Sequence, residues 1–168
     1  RMSASNPDPR RDFVVAGQTQ FESGAAFNNS LRQSLAKIPK KDREIALFVH
    51  GYNTSYAEGI FRIAQLKHDL KMPSIPVHFS WPSDANPLGY SHDRDSVLFA
   101  RDGFQEALEL IRKSTNAPIL LVAHSMGGLL TMESLRQIEI EKPGWSKTAL
   151  SGLVLIAPDI SLDVFKQQ

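Results

Sequence analysis

The chain has 168 residues, which is enough for one domain with its own hydrophobic core. Hydrophobic residues make up 42% and charged residues 22%, which implies no fibrous, disordered or membrane class, and no apolar run is long enough to cross a bilayer. A net charge of +1 gives no reason to expect a nucleic-acid or acidic-membrane partner, and without cysteine there is neither a disulfide framework nor thiolate chemistry.

Short apolar runs alternate with amphipathic stretches, which is typical of βαβ units that form a parallel sheet. The sequence predicts, in chain order, a strand at 12–16, a helix at 25–36, a strand at 45–50, a helix at 55–70, a strand at 75–81, a turn-rich loop at 82–89, a helix at 94–113, a strand from 119, a helix after 125 to 138, and a strand at 152–157. Residues 1–44 would form an N-terminal segment and residues 45–168 the core of a single domain.

Local signals add detail to these elements. Ser55 followed by Glu58 predicts a capping box at the start of the second helix. The basic run Lys37–Arg43 is interpreted as a solvated loop before a strand. Asp93 is interpreted as an acidic residue at a helix N-terminus, where it would favour the helix dipole.

The most informative segment is the apolar run from Ile119, which ends at Ser125 just before a helix-like pattern begins. A serine on such a corner is exposed above the sheet, and the backbone N–H groups that follow it converge on one point. The small residues Ala123 and Gly127 allow the tight turn. The pattern predicts Ser125 as a nucleophile.

Four motifs occur at the ends of the predicted strands. In chain order they are Val49-His50-Gly51-Tyr52-Asn53, Phe79-Ser80-Trp81-Pro82-Ser83, Ala123-His124-Ser125-Met126-Gly127 and Ala157-Pro158-Asp159-Ile160. With this order and separation the chain resembles the bacterial α/β-hydrolases grouped as a domain of unknown function, DUF900. The resemblance implies an α/β-hydrolase fold with a mostly parallel, doubly wound sheet and helices on both faces. Such folds bind ligands at the carboxyl ends of their strands.

The resemblance also implies an oxyanion hole. In this family the residue after the glycine of the first motif and the residue after the nucleophile give their N–H groups, which here are those of Tyr52 and Met126. His50 and Gly51 would support that loop, with His50 structural and not catalytic, and Gly127 would keep the turn tight. The two loops would lie side by side if the strands that begin at Ile45 and Ile119 are neighbours.

Other residues near these motifs have two open interpretations. Asn53, Ser80 and Trp81 could line a substrate pocket, or Trp81 with Pro82 could simply close the edge of the core. His124 is expected to point away from the serine as a packed, partly buried histidine. The remaining histidines show no metal-ligand spacing, so no metal and no cofactor is predicted.

For a catalytic triad, the sequence offers more than one candidate acid and no candidate base. Asp159 follows the strand after the nucleophile and could be the acid, or it could form the turn after Pro158 and cap a helix beginning near Ser161. The resemblance also allows an aspartate after the next strand to be the acid instead. No histidine occurs after His124, although these hydrolases place the base after the acid. We expect that the chain is a C-terminally truncated part of a longer enzyme, whose last strands and histidine are absent. By itself, it should be nearly inactive.

The sequence therefore predicts a serine hydrolase that acts on a small-molecule carboxylic ester or related acyl compound through an acyl-enzyme on Ser125. A catalytically incomplete binding module is the alternative, and an acyltransferase or thioesterase is a weaker one. A free sheet edge could be covered by a second copy of the chain. The start Arg1-Met2-Ser3-Ala4-Ser5 could be a cloning remnant or could follow a removed leader. The sequence is therefore compatible with a soluble protein that is either cytoplasmic or exported.

Overall fold

A computed structural model describes residues 8, 12–84 and 89–166 of the chain. Its elements are α1 (Gly24–Ala36), a 3₁₀ turn (Lys40–Asp42), β1 (Ile45–Val49), α2 (Tyr56–Asp69), β2 (Ile75–Phe79), α3 (Tyr90–Thr115), β3 (Ile119–His124), α4 (Met126–Glu141), α5 (Trp145–Ala149), β4 (Leu150–Ile156) and α6 (Leu162–Phe165). Within these described ranges no helix has the length and apolar character needed to cross a membrane. The predictions for residues 1–5 and for loop residues 85–88 lie outside the described residues.

The four described strands form one parallel sheet in the order β2-β1-β3-β4. Ile45 of β1 pairs with Ile75 of β2 on one side and with Ile119 of β3 on the other. The strands that begin at Ile45 and Ile119 are therefore neighbours, as predicted. Because β1 is paired on both sides and covered on both faces, all five of its residues are buried, as its continuous apolar sequence predicts.

Helices cover both faces of the sheet, as predicted. Side chains alternate along β1, so that Leu47 and Val49 face the larger core formed with α1, α3 and α4, to which Phe104 belongs. Ala46 and Phe48 face a smaller core on the opposite side, formed with α2. The carboxyl ends of β1 and β3 therefore emerge between two helical layers.

Several boundaries differ from prediction. Residues 12–16 form no strand: Phe13 and Val15 are exposed, because their β-favouring sequence finds no neighbouring strand to pair with. The helix α3 begins at Tyr90 and not at 94, and β4 begins at Leu150 and not at 152. The short helix α5, which directly precedes β4, was not predicted.

Other local predictions are confirmed. The Ser55 side chain accepts a hydrogen bond from the Glu58 N–H, and the Glu58 carboxylate accepts one from the Ser55 N–H, which completes the capping box of α2. The basic stretch before β1 carries the short 3₁₀ turn, which has no buried residue.

The strand β2 contains a proline but pairs without a break. Ala46 of β1 lies opposite Pro76, and the N–H of the preceding residue, Ile75, donates to the Glu44 carbonyl oxygen at 2.8 Å. Because successive N–H groups of a strand point to opposite sides, the nitrogen of Pro76 faces away from β1. The missing donor therefore costs no bond of the sheet.

Candidate active site

Ser125 lies at the turn between β3 and α4 in a conformation that few non-glycine residues adopt. Its backbone has φ 52° and ψ −124°, and such a conformation costs on the order of 1–3 kcal/mol. Three hydrogen bonds hold it. The Ser125 N–H donates to Ile156 O at 2.9 Å, and Ser125 O accepts from the N–H groups of Gly128 at 2.8 Å and Asp159 at 3.1 Å. The end of β4 and its following loop thus fix the turn.

The Ser125 hydroxyl is not used to stabilise the fold. Ser125 is the N-cap residue of α4, but its side chain accepts no capping bond from the helix. None of the hydrogen bonds formed among the described residues includes this hydroxyl, and the residue is half-buried. The strained backbone therefore presents an uncommitted hydroxyl at the carboxyl edge of the sheet.

The loop after β1 lies directly against this turn. A Cβ placed on Gly51 would lie 2.8 Å from the Cβ of Ser125, and a Cβ on Gly127 would lie 2.4 Å from the His50 carbonyl oxygen. Both distances are shorter than non-bonded atoms tolerate, so glycine is required at both positions. This contact brings the loop that carries Tyr52 next to the start of α4, where Met126 is fully buried.

His50 is fixed in the loop by both of its ring nitrogens. Its Nδ1 lies 2.9 Å from the Gly51 carbonyl oxygen, and its Nε2 accepts from the Trp81 backbone N–H at 3.2 Å, a pattern that fits the neutral Nδ1–H tautomer. The ring stacks on the Trp81 indole with centroids 5.0 Å apart. Burial lowers the pKa of His50, so the ring stays neutral near pH 7.

The three candidate pocket residues lie in different surroundings. Trp81 is 3% exposed, belongs to the larger core and donates from Nε1 to the His50 carbonyl oxygen at 2.8 Å, so its position fits closure of the core edge. Ser80 is exposed, with its hydroxyl 3.5 Å from the His50 Nε2. Asn53 is exposed with φ 50° and lines a cavity beside the turn.

That cavity lies between the β1 loop and α2 and has a volume of about 430 Å³. It is lined by aromatic, polar and charged side chains and by one glycine: Phe13, Phe48, His50, Gly51, Asn53, Thr54, Glu58, Phe61, Arg62, Gln65 and His124. Its volume is in the range of small-molecule sites. Since Gly51 belongs to its wall, the cavity begins beside the Ser125 turn.

His124 differs from its prediction. The residue is exposed in the cavity wall, where its Nδ1 lies against Gly51, and not in the packed surroundings that the sequence predicts. Burial of part of the ring and the positive charge of Arg62 lower the pKa of His124. Among the described residues, no group of three His, Cys, Asp or Glu side chains could hold a metal ion.

Asp159 is exposed, and its carboxylate binds a tyrosine. Its Oδ2 accepts from the Tyr90 hydroxyl at 2.8 Å, and this hydrogen bond raises the pKa of Tyr90. Asp159 does not cap α6, because the Ser161 hydroxyl accepts from the N–H of Val164 in that position. The sequence missed Tyr90 because α3 was predicted to begin four residues later.

Asp93 has a larger role than the predicted helix-terminal charge. It lies in the first turn of α3 with no exposed surface, and it accepts hydrogen bonds from Ser83 Oγ at 2.6 Å, Asp84 N at 2.7 Å and Asn53 N at 3.4 Å. Burial acts to raise the pKa of Asp93, but these hydrogen bonds hold it below its ordinary value. One buried carboxylate therefore connects α3 with the loops that follow β1 and β2.

His78 is a second titratable group that the sequence did not single out. It lies on β2 against His50, and a Cβ on Gly59 of α2 would lie 2.2 Å from its Cε1. Neither ring nitrogen has a hydrogen-bond partner among the described residues. Burial, together with the neighbouring His50, lowers the pKa of His78 to about 4. This ring is therefore neutral and packed as an apolar group.

Parallel strands in this order, with a serine at the strained turn after β3, define an α/β hydrolase. Residues 23–168 match the family described as alpha/beta hydrolase of unknown function (DUF900), and the chain belongs to this family. The resemblance and the fold class predicted from the sequence are thereby confirmed.

Two individual proteins are similar to the chain. The uncharacterised protein alr1448 of Nostoc sp. is 25% identical over 143 residues, a match that covers 68% of this chain and 37% of the relative. The phospholipase PlaB of Legionella pneumophila, solved in complex with thio-NAD, matches with a TM-score of 0.36 and 19% identity over 68% of this chain and 25% of its own. The chain thus spans well under half of either protein, and its family membership rests on the family match.

Proposed function

We propose that this chain carries the nucleophile and the oxyanion hole of a serine hydrolase that acts on carboxylic esters or related acyl compounds. The observation that carries the proposal is Ser125, held by three hydrogen bonds at φ 52° with its hydroxyl uncommitted. A backbone strain of this kind persists only where surrounding contacts maintain it, and it is concentrated at functional sites. In the proposed reaction, the Ser125 Oγ attacks the acyl carbon, the alcohol leaves, and water then releases the acid.

In this mechanism, the N–H groups of Tyr52 and Met126 stabilise the oxyanion that forms on the acyl oxygen. The proposal is supported by the backbone contact between Gly127 and His50, which brings the two loops together. It is also supported by the position of Met126 as the first residue of α4, where the N–H has no partner within the helix. His50 and Trp81 then act as supports that keep the Tyr52 loop in place.

The proposed acid is Asp159, whose backbone N–H is bonded to Ser125 O. All five histidines of the chain precede Ser125 in the sequence. Among the described residues, none of them is hydrogen-bonded to the Ser125 hydroxyl. We therefore propose that the general base comes from outside residues 1–168. The acyl chain would lie in the cavity beside Gly51, against the rings of Phe48 and Phe61.

A fluorophosphonate probe on the full-length protein tests the proposal. We expect labelling at Ser125 that is lost in Ser125→Ala and kept in Ser151→Ala, an exposed serine that bonds to Glu44 far from the turn. Hydrolysis of short-chain p-nitrophenyl esters should follow the same pattern. A full-length protein that neither reacts with the probe nor hydrolyses these esters would contradict the proposal and favour a binding module.

The acyl group could also be passed to an acceptor other than water, or be taken from a thioester. These alternatives share the acyl-enzyme on Ser125, so they differ only in the leaving group and the acceptor. Comparison of oxygen esters with thioesters, with and without an added alcohol acceptor, separates an esterase from a thioesterase and from an acyltransferase. We expect hydrolysis of oxygen esters to dominate.

A further inference from the structure

We propose that Asp93 is a positioning residue that fixes the loop after β1 and so aims the Tyr52 N–H at the acyl oxygen. The inference rests on the proposed function of Ser125. The position of Asp93 in the first turn of α3 does not by itself support the inference, because an acidic residue at that place is usually solvated.

The geometry of the carboxylate separates it from an ordinary helix-terminal charge. Its side chain has no exposed surface, and its two oxygens are shared between two loops that end neighbouring strands. Oδ1 accepts from the Asp84 N–H, while Oδ2 accepts from Ser83 Oγ and from the Asn53 N–H. Asp93 therefore bonds the start of α3 to both the β1 loop and the β2 loop.

The residue that Asp93 holds is adjacent to the proposed oxyanion donor. Asn53 directly follows Tyr52 and has φ 50°, in the left-handed region that asparagine adopts more readily than most residues with a side chain. Its N–H donates to the buried carboxylate at 3.4 Å, which fixes the direction of the peptide between Tyr52 and Asn53. On the other side of Tyr52, His50 and Gly51 are held by Trp81 and by the Ser125 turn. Asp93 thus holds the side of the loop that follows Tyr52, as Trp81 and the Ser125 turn hold the side that precedes it.

A donor of the oxyanion hole acts mainly in the transition state, so its displacement lowers kcat and leaves substrate binding nearly unchanged. Loss of a whole oxyanion donor costs about a hundredfold to a thousandfold in kcat. Since Asp93→Asn would displace the Tyr52 N–H and not remove it, we expect kcat to fall about tenfold to a hundredfold with KM within about twofold. A residue needed only for stability would lower the active fraction and leave the rate per active site unchanged.

The test uses the full-length protein with Asp93→Asn, and Asp95→Asn as the matched control. Asp95 lies on the same helix two residues further on and is exposed, so its variant should react as the wild type does. The measurements are kcat and KM with a p-nitrophenyl ester, normalised to sites titrated with the fluorophosphonate, and the rate of fluorophosphonate labelling. Ser83→Ala, which removes one bond to Oδ2, should slow labelling by a smaller factor and serves if Asp93→Asn does not fold.

Amide hydrogen exchange distinguishes failure of this inference from failure of the proposed function. In Asp93→Asn or Ser83→Ala, the peptide that contains Tyr52 and Asn53 should exchange faster, while peptides from β3 and β4 should not change. This result is independent of activity, so it holds even if the wild type does not react with the probe. Unchanged exchange in that peptide, or a variant in which KM rises and kcat per site stays constant, would overturn the inference.

Discussion

Substitution of His78 by leucine should reduce the loss of folding stability that this protein undergoes as the pH falls. The ring is packed against His50 and the backbone of Gly59, and neither nitrogen is hydrogen-bonded among the described residues. Its pKa is about 4 in the folded protein, against 6.5 for a solvated histidine. Below about pH 6.5, the unfolded chain binds a proton that the folded protein does not bind, so stability falls as the pH drops toward 4.

The size of this effect follows from the two pKa values. If His78 were fully protonated in the unfolded state and not in the folded state, the free energy of unfolding would fall by at most about 3.4 kcal/mol. Because the ring is only partly buried, solvent screening reduces this to about 2 kcal/mol. Between about pH 7.5 and about pH 5, the wild type should therefore lose about 1–2 kcal/mol through His78. His78→Leu should not show that loss, and at the higher pH it should be at least as stable, because it leaves no buried ring nitrogen unpaired.

Urea unfolding at the two pH values measures this difference. Other groups also change with pH, His50 and His124 among them, so the useful quantity is the change in the free energy of unfolding of His78→Leu relative to the wild type. His68→Leu is the control, because the side chain of His68 is 74% exposed. If the free-energy difference between His78→Leu and the wild type is the same at both pH values, the reasoning about the buried ring is wrong.

Three further outcomes are expected. Gly127→Ala should destabilise the protein by about 3 kcal/mol in thermal unfolding, since its Cβ would meet the His50 carbonyl oxygen and neither backbone can move freely. Gly103→Ala, within α3, is its control. Because no atom lies within 4 Å of that Cβ, this variant should be more stable than the wild type by about 0.5–1 kcal/mol. Equal effects of the two variants would refute the steric argument. Asp159→Asn should bring the pKa of Tyr90 down toward its ordinary value in an ultraviolet titration, because the carboxylate hydrogen bond that raises it is weakened; an unchanged titration would show that this bond is not formed in solution.

The sequence predicted the parts of the fold that depend on local pattern. Continuous apolar runs at β1 and β3 indicated buried parallel strands, and the small residues around Ser125 indicated a tight strand-to-helix turn. The Ser55 and Glu58 pair indicated the start of α2. The strand expected at 12–16 was wrong because β-propensity has no effect without a partner strand.

Contacts between distant segments could not be predicted in the same way. Tyr90 and Asp159 are 69 residues apart in the chain, and Asp93 is 40 residues from Asn53. Both contacts depend on where α3 begins, a boundary that the sequence placed four residues too late because Asp93 was interpreted as the acidic residue at the helix N-terminus. His78 gave no signal at all, since only the three-dimensional contact with Gly59 shows that its ring is buried.

The proline of β2 makes the two outer edges of the described sheet unequal. In the described sheet β2 and β4 are the two outer strands, and an outer strand normally offers its free N–H and C=O groups to any extended chain nearby. At β2, Pro76 turns its nitrogen outward and interrupts that series of donors. The seven residues of β4, Leu150–Ile156, contain no proline. A chain that paired with the outer edge of β2 would therefore lack one hydrogen bond that the outer edge of β4 can supply, so in the described sheet β4 offers the more complete series of donors.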